Sequence, residues 1–105
     1  MQFLRKLFGL KPPVNFSELV QNNAIIIDVR TVAEFKSGAI KKSVNIPVND
    51  LPKRLNKLKD KNQPIITCCA SGVRSAMARQ LLQSNGFKNV HNGGSWHRLQ
   101  RKINN

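Results

Sequence analysis

The chain has 105 residues, of which 40% are hydrophobic, and it carries a formal net charge of +13. This length supports a single hydrophobic core, and the hydrophobic content excludes an intrinsically disordered chain. No stretch reaches the roughly 20 apolar residues of a transmembrane helix, so we expect no integral membrane association.

The positive charge is spread over several segments, and no aromatic residues are interleaved with it as a stacking platform would need. Such a charge attracts anionic substrates and also promotes unspecific contact with nucleic acid. A dedicated single-strand site would need stacking side chains beside its cations. The pattern therefore favours a solubilising basic surface, and we expect no specific nucleic-acid partner.

The two cysteines of the chain, Cys68 and Cys69, are adjacent. Neighbouring cysteines cannot connect distant parts of a fold, and a disulfide between them is strained. The pattern indicates reduced thiols, so we expect a reducing compartment, with the cytoplasm as the default.

Residues 1–13 are predicted to be a basic amphipathic segment that precedes one domain over residues 14–105. Its apolar residues are spaced for one face of a short helix and are Phe3, Leu4, Leu7 and Phe8. Arg5 and Lys6 interrupt the apolar run and no small-residue cleavage site follows, so the segment does not fit a signal peptide. We expect it to pack on the domain or to fray.

The domain is predicted to begin with a short strand, Val14–Phe16, and a brief helix capped by Ser17. The run Ala24–Val29 is apolar except for Asp28, which is typical of a strand buried on both faces of a parallel sheet. Asp28 then lies at the carboxyl end of this strand. We expect it to cap the next turn or to pair with a cation.

A third helix signal follows that strand. Thr31 is predicted to cap a short helix over Val32–Lys36, and Glu34 is placed to complete a capping box. We expect Arg30 to hold Asp28, Glu34 or a backbone carbonyl in place.

The middle of the chain predicts another strand, Val44–Ile46, which ends at Pro47. A helix follows, capped by Asn49 or Asp50, with Pro52 in its first turn. The apolar positions of this helix are Leu51, Leu55 and Leu58.

The last third predicts a strand over Pro64–Cys68, a helix that ends at Asn85-Gly86, a strand over Asn89–His91 and a turn over Asn92–Gly94. Ser95 is predicted to cap the final helix. The apolar positions of the two helices are Ala76, Met77, Ala78, Leu81 and Leu82, and Trp96, Leu99 and Ile103. The alternation of strands and helices predicts an α/β fold with a small parallel sheet flanked by helices on both faces.

The segment Thr67–Ser75 reads T-C-C-A-S-G-V-R-S and joins a predicted strand to a predicted helix. Such a turn directs backbone N–H groups and the positive end of a helix dipole at one small volume. Arg74 adds a positive charge. This setting lowers the pKa of a thiol, and a thiolate is a nucleophile.

The segment Cys69–Ser75 resembles the active-site loop of rhodanese-type sulfurtransferases, in which Cys is followed by two residues, Gly, one residue, Arg, and Ser or Thr. Further motifs of that family occur in the same order and are Ile25–Arg30 with Glu34-Phe35, Gly38–Ile40 with Asn45–Pro47, and Gly93-Gly94 with Trp96. Ala39 stands where the family usually has His, which is not its nucleophile. The resemblance implies the small rhodanese-like three-layer α/β/α fold.

Two registers of the loop compete for the nucleophile. Five residues separate Cys68 from Arg74, which is the spacing of cysteine phosphatase loops, and four separate Cys69 from Arg74, the spacing of sulfurtransferase loops. Gly72 is third after Cys69, as the sulfurtransferase pattern has it. We therefore assign Cys69 as the nucleophile, and the phosphatase that uses Cys68 is the less favoured alternative.

The resemblance implies sulfur transfer from thiosulfate or a related anionic donor to a thiol or cyanide, through a persulfide on Cys69 and without a cofactor. A sulfur-relay protein is a further candidate partner. The expected substrate-binding residues are Ala70, Ser71, Gly72, Val73, Arg74 and Ser75, and the expected structural supports are Asp28, Arg30, Glu34 and Trp96.

Three alternatives remain at this point. Cys68 is either a resolving thiol or, as we favour, a buried structural residue. Ser75 either donates its hydroxyl to the site or, as we favour, caps the helix. The whole domain is either an enzyme or a non-catalytic binding module that uses the same loop. His91 and His97 have no spaced partners for a metal site.

Overall fold

The central strand of the sheet, β3 (Ile65–Cys69), is buried along its whole length in a computed structural model that describes residues 13–104. It pairs in parallel with β1 (Ile25–Asp28) on one side and with β4 (Val90–Ser95) on the other. A short strand, β2 (Val44–Asn45), pairs in parallel with β1, so the order is β2-β1-β3-β4. The predicted parallel sheet is confirmed. The helix predicted within residues 1–13 lies outside the described residues.

Helices cover both faces of this sheet. Successive residues of a strand point to opposite faces, so the apolar strands present side chains on both sides that must be buried. On one face, α1 (Phe16–Gln21) and α5 (Trp96–Ile103) pack together over a buried cluster that includes Ile66 and Leu99. On the other face, α4 (Val73–Ser84) packs over a second cluster. The members of that second cluster include Ile27, Ile65, Ala78, Leu82 and Phe87. The three-layer arrangement is the one expected from the sequence.

Two short helices follow β1 and β2. The first, α2 (Val32–Lys36), begins with the predicted capping box between Thr31 and Glu34. The second, α3 (Leu51–Arg54), tightens into a 3-10 turn over Leu55–Lys57, so the single helix predicted there is wrong. Leu51 at its start is fully buried.

The strand predicted over Val14–Phe16 is wrong. Phe16 is the first residue of α1, and the helix is capped by Asn15 rather than by Ser17. The Asn15 side chain accepts a hydrogen bond of 3.0 Å from the N–H of Glu18. A local side-chain bond of this kind competes with strand pairing and starts the helix two residues earlier than predicted.

The turn predicted over Asn92–Gly94 is also wrong, because β4 runs through it to Ser95 with a register shift opposite Thr67 and Cys69. Gly93 makes this possible. A Cβ atom at Gly93 would lie 2.8 Å from the side chains of Ile66 and Leu99 and 2.9 Å from the Thr67 carbonyl oxygen. The missing side chain lets β4 approach β3 and α5 closely.

The buried face of α4 differs from the predicted one. Ser75, Ala78 and Leu82 are fully buried, whereas Met77 is 56% exposed. The helix ends at the predicted place, with Asn85 as its C-cap. The apolar side chain of Met77 therefore lies on the surface, and a polar one, Ser75, lies inside.

We expect Gly93→Ala to lower the free energy of unfolding by about 1–3 kcal/mol, because the added methyl group overpacks the contact between β4, β3 and α5. Urea denaturation measures this change, and Ser84→Ala on the exposed end of α4 is the matched control, with a shift within about 0.5 kcal/mol. Equal midpoints for the two variants would contradict the close approach.

Candidate active site

Cys69 is the last residue of β3 and belongs to the core cluster under α4, whereas Cys68 belongs to the cluster under α5. The two thiols therefore lie on opposite faces of the sheet, as the alternation of a strand requires. Both cysteines are free. The sequence favoured a buried structural role for Cys68, and this placement agrees with that role. It also separates Cys68 from the loop that follows Cys69.

The Cys68 side chain is fully buried in the apolar cluster under α5, near the Asp28–Arg30 ion pair. Burial raises the pKa of the Cys68 thiol to about 12, and the nearby Asp28 carboxylate adds to the effect. A thiol with such a pKa is neutral at physiological pH and is a poor nucleophile. The geometry thus offers no support for a phosphatase that uses Cys68 or for a resolving role.

The loop after β3 surrounds the Sγ atom of Cys69 with hydrogen-bond donors. The backbone N–H of Gly72 donates to Sγ over 2.9 Å, and that of Ser75 donates over 3.4 Å. The Ser75 hydroxyl oxygen lies 3.3 Å from Sγ. Gly72 is the N-cap of α4 and has a φ of +105°, a left-handed conformation that glycine adopts without strain. This conformation directs its N–H at the sulfur.

Burial of the Cys69 thiol is the largest single influence on its pKa and raises it. Hydrogen bonds from the Ser75 hydroxyl and from the N–H groups of Ser75, Gly72 and Ser71 act in the opposite direction and together outweigh burial. The pKa of Cys69 therefore lies below its ordinary value of 9.0. The predicted effect of the loop on the thiol is present in the structure.

The accessibility of Cys69 differs from that expected of a nucleophile. Its exposed fraction is 0%, although Ala70 and Ser71 beside it are exposed and Val73 is 67% exposed. A reactant can touch Sγ only after the loop around it moves. This burial is the observation that counts against a catalytic role for Cys69.

Arg74 does not direct a free charge at the sulfur. Its two terminal nitrogens donate to the two carboxylate oxygens of Glu34 over 2.7 and 3.0 Å, which ties the first turn of α4 to α2. The Arg74 guanidinium, followed by the Thr31 N–H, lowers the pKa of Glu34 to about 2. Arg74 therefore orders the loop through a bidentate ion pair.

Asp28, Arg30 and Trp96 form a separate buried group. The Arg30 side chain donates to both oxygens of Asp28, with a shortest distance of 2.7 Å, and also to the carbonyl oxygens of Gly38 and Glu34. The Arg30 guanidinium lies 4.7 Å from the centre of the Trp96 ring. These contacts connect the end of β1 to α2 and α5.

Ser75 is not a helix cap, because it is the third residue of α4 and is fully buried. Its hydroxyl donates to Oδ1 of Asn92 over 2.6 Å. Asn92 also binds the loop itself, since its Nδ2 donates to the Gly72 carbonyl over 3.4 Å. The sequence assigned Asn92 to a turn and missed it. Its position before the Gly93-Gly94 motif was the available signal.

Within residues 13–104, no group of three His, Cys, Asp or Glu side chains is close enough to hold a metal ion. None of the helices in that same range is long and apolar enough to cross a membrane.

The sequence and the fold both match known proteins. The family model of the rhodanese-like domain matches residues 13–100. A tRNA uridine(34) hydroxylase of Buchnera aphidicola is 35% identical over 78 residues, which make up 70% of this chain and 25% of that protein. The chain thus spans about a quarter of that relative's length.

Two further relatives are closer to this chain in size. A putative mitochondrial thiosulfate sulfurtransferase of Schizosaccharomyces pombe is 36% identical over 95 residues, which cover 77% of this chain and 66% of that protein. The structure of the human single domain sulfurtransferase TSTD1 aligns with a TM-score of 0.68 and 27% identity, over 82% of this chain and 88% of that chain. The chain belongs to the rhodanese-like domain family.

Proposed function

We propose that the chain is a sulfurtransferase that carries a sulfane sulfur as a persulfide on Cys69. The observation that carries this proposal is the pair of backbone N–H groups, of Gly72 and Ser75, that donate to Sγ, with the Ser75 hydroxyl oxygen 3.3 Å from it. Such donors stabilise a thiolate and, after transfer, the charge on a persulfide.

The proposed reaction has two displacement steps. In the first, the Cys69 thiolate attacks the outer sulfur of a donor such as thiosulfate, and the bond between the donor's two sulfur atoms breaks. Sulfite leaves with the electron pair of that bond, and a persulfide remains on Cys69. In the second, a thiolate or cyanide attacks the outer sulfur, and Cys69 leaves as a thiolate. No net oxidant or reductant is needed.

The partners follow from this chemistry. The donor is a small anion, which the net charge of +13 attracts. The acceptor is cyanide, a small thiol or the thiol of a sulfur-relay protein. The reaction as proposed uses no cofactor.

The complete burial of Cys69 supports one other function, a non-catalytic rhodanese-like module that binds a partner through the loop. In that case the donors around Sγ maintain the shape of the loop and the thiol never reacts. The next two experiments separate this module from an enzyme.

We expect the protein incubated with thiosulfate to gain the mass of one sulfur atom, because Cys69 becomes a persulfide. Intact-mass spectrometry under non-reducing conditions measures this gain. The gain should persist in Cys68→Ala and disappear in Cys69→Ala, which differ by one position in β3. An unchanged mass for the folded wild-type protein would exclude the sulfurtransferase and favour the binding module.

We expect iodoacetamide to alkylate Cys69 with a rate that rises with pH and reaches a plateau below the ordinary pKa of 9.0, because only the thiolate reacts. The Cys68 thiol, with a pKa of about 12, should not react over the same range. Peptide mapping after timed quenching measures both rates. A Cys69 that resists alkylation in the native protein at every pH would show that the loop never opens.

We expect Arg74→Lys to lower the rate of sulfur transfer by on the order of tenfold, since lysine keeps the charge but cannot form the two parallel bonds to Glu34. Arg79→Lys is the control, because Arg79 lies on the same helix as Arg74 and its side chain donates to the Val90 carbonyl of β4 instead. Cyanide-dependent formation of thiocyanate measures both rates. A rate for Arg74→Lys equal to that of the control would mean that Arg74 acts through its charge alone.

A further inference from the structure

The Ser75 hydroxyl has a single proton and two neighbours that can accept it. Oδ1 of Asn92 lies 2.6 Å from the hydroxyl oxygen, and Sγ of Cys69 lies 3.3 Å from it. In the thiol state the Cys69 S–H donates to the Ser75 oxygen, and the Ser75 proton is directed at Asn92. Ser75 is fully buried, so no bulk water replaces either contact.

The amide group of Asn92 is held in one orientation. Its Oδ1 accepts a second hydrogen bond, of 2.9 Å, from the N–H of Gly94, and its Nδ2 donates to the Gly72 carbonyl over 3.4 Å. A flipped amide would present its NH₂ group to the N–H of Gly94 and lose both contacts. Oδ1 therefore remains directed at Ser75.

Ionisation of Cys69 makes Sγ a second acceptor for the Ser75 hydroxyl proton. The thiol proton leaves to water, and Sγ then has no hydrogen to donate and instead accepts. The Ser75 O–H can rotate towards the thiolate only by leaving Asn92, which retains its bond from Gly94. Asn92 and the thiolate thus compete for one hydroxyl proton.

We propose that Asn92 is a positioning residue for Cys69, which sets how readily the Ser75 hydroxyl turns to the sulfur when the thiol ionises. Only the use of the thiolate in sulfur transfer rests on the proposed function. The competition itself concerns the ionisation of the thiol and is measurable without a sulfur donor.

Other titratable groups also act on this region from the elements around it. Arg74 on α4, which is paired with Glu34 of α2, lies closest in sequence to Ser75. The Asp28–Arg30 pair lies against Trp96 on the far face of the sheet, and His91 lies on β4. None of these groups is altered between the four proteins compared below, so their effects are common to all of them.

The test is a double-mutant cycle on the Cys69 titration in a Cys68→Ala background, where Cys69 is the single cysteine. The four proteins carry Ser75 or Ser75→Ala, each combined with Asn92 or Asn92→Ala. The ultraviolet absorbance of the thiolate, recorded against pH, gives each thiol pKa.

We expect Ser75→Ala to raise the thiol pKa, because the thiolate loses a donor. The change in thiol pKa caused by Asn92→Ala is then compared between the two backgrounds. It should be more negative by about half a unit when Ser75 is present, since the freed hydroxyl turns to the sulfur. Loosening of the Gly72 end of the loop affects both backgrounds equally and cancels. Equal shifts in the two backgrounds would overturn the proposal and leave Asn92 a structural residue.

A second substitution keeps the proposal falsifiable if Asn92→Ala does not fold. Asn92→Asp preserves the shape of the side chain and makes it a stronger acceptor. The increase in the Cys69 pKa that it causes should therefore be larger when Ser75 is present than in the Ser75→Ala background. An equal rise would overturn the proposal. A coupled titration in a protein that gains no sulfur from thiosulfate would exclude the proposed function while supporting this role of Asn92.

Discussion

The hydrogen bond from the Gly72 N–H to the Cys69 sulfur, 2.9 Å long, is the contact on which the site depends. It exists because the chain turns back at the carboxyl end of a buried central strand and enters α4 through a residue with positive φ. Ligands of open parallel sheets collect at this edge. The turn brings the backbone donors of Gly72 and Ser75 to the thiol. Hydrogen bonds from Ser75, Gly72 and Ser71 are the main influences that lower the pKa of Cys69.

Two ion pairs maintain the frame around this turn, and they differ in burial. Asp28 and Arg30 are enclosed between β1, α2 and the Trp96 ring, where a charged group without its partner would be costly. Glu34 and Arg74 are partly exposed and join α2 to the start of α4. The first pair fixes the strand end, and the second fixes the loop relative to its neighbouring helix. The polar network of Ser75 and Asn92 then connects the loop to β4.

Local signals predicted most of the fold, and two of the errors arose where tertiary packing overrode them. The capping box of Thr31 and Glu34 and the cap at Ser95 involve residues three positions apart, so the sequence alone contains them. The turn assigned to Gly93 was wrong because glycine pairs break strands by local propensity, whereas here the absent side chain admits Ile66 and Leu99. Met77 was assigned to the buried face by its spacing along the helix, yet the buried face of α4 follows Ser75, Ala78 and Leu82.

The sequence by itself determined the alternation of strands and helices, the position of the cysteine loop between β3 and α4, and the residues that carry the family resemblance. These features depend on periodicity and on neighbours within one turn of the chain. Only the tertiary structure decided that Arg74 binds Glu34 and that Asn92 reaches Ser75. Each of these contacts joins elements distant in sequence, and their geometry is fixed by the register of the parallel sheet rather than by any local pattern.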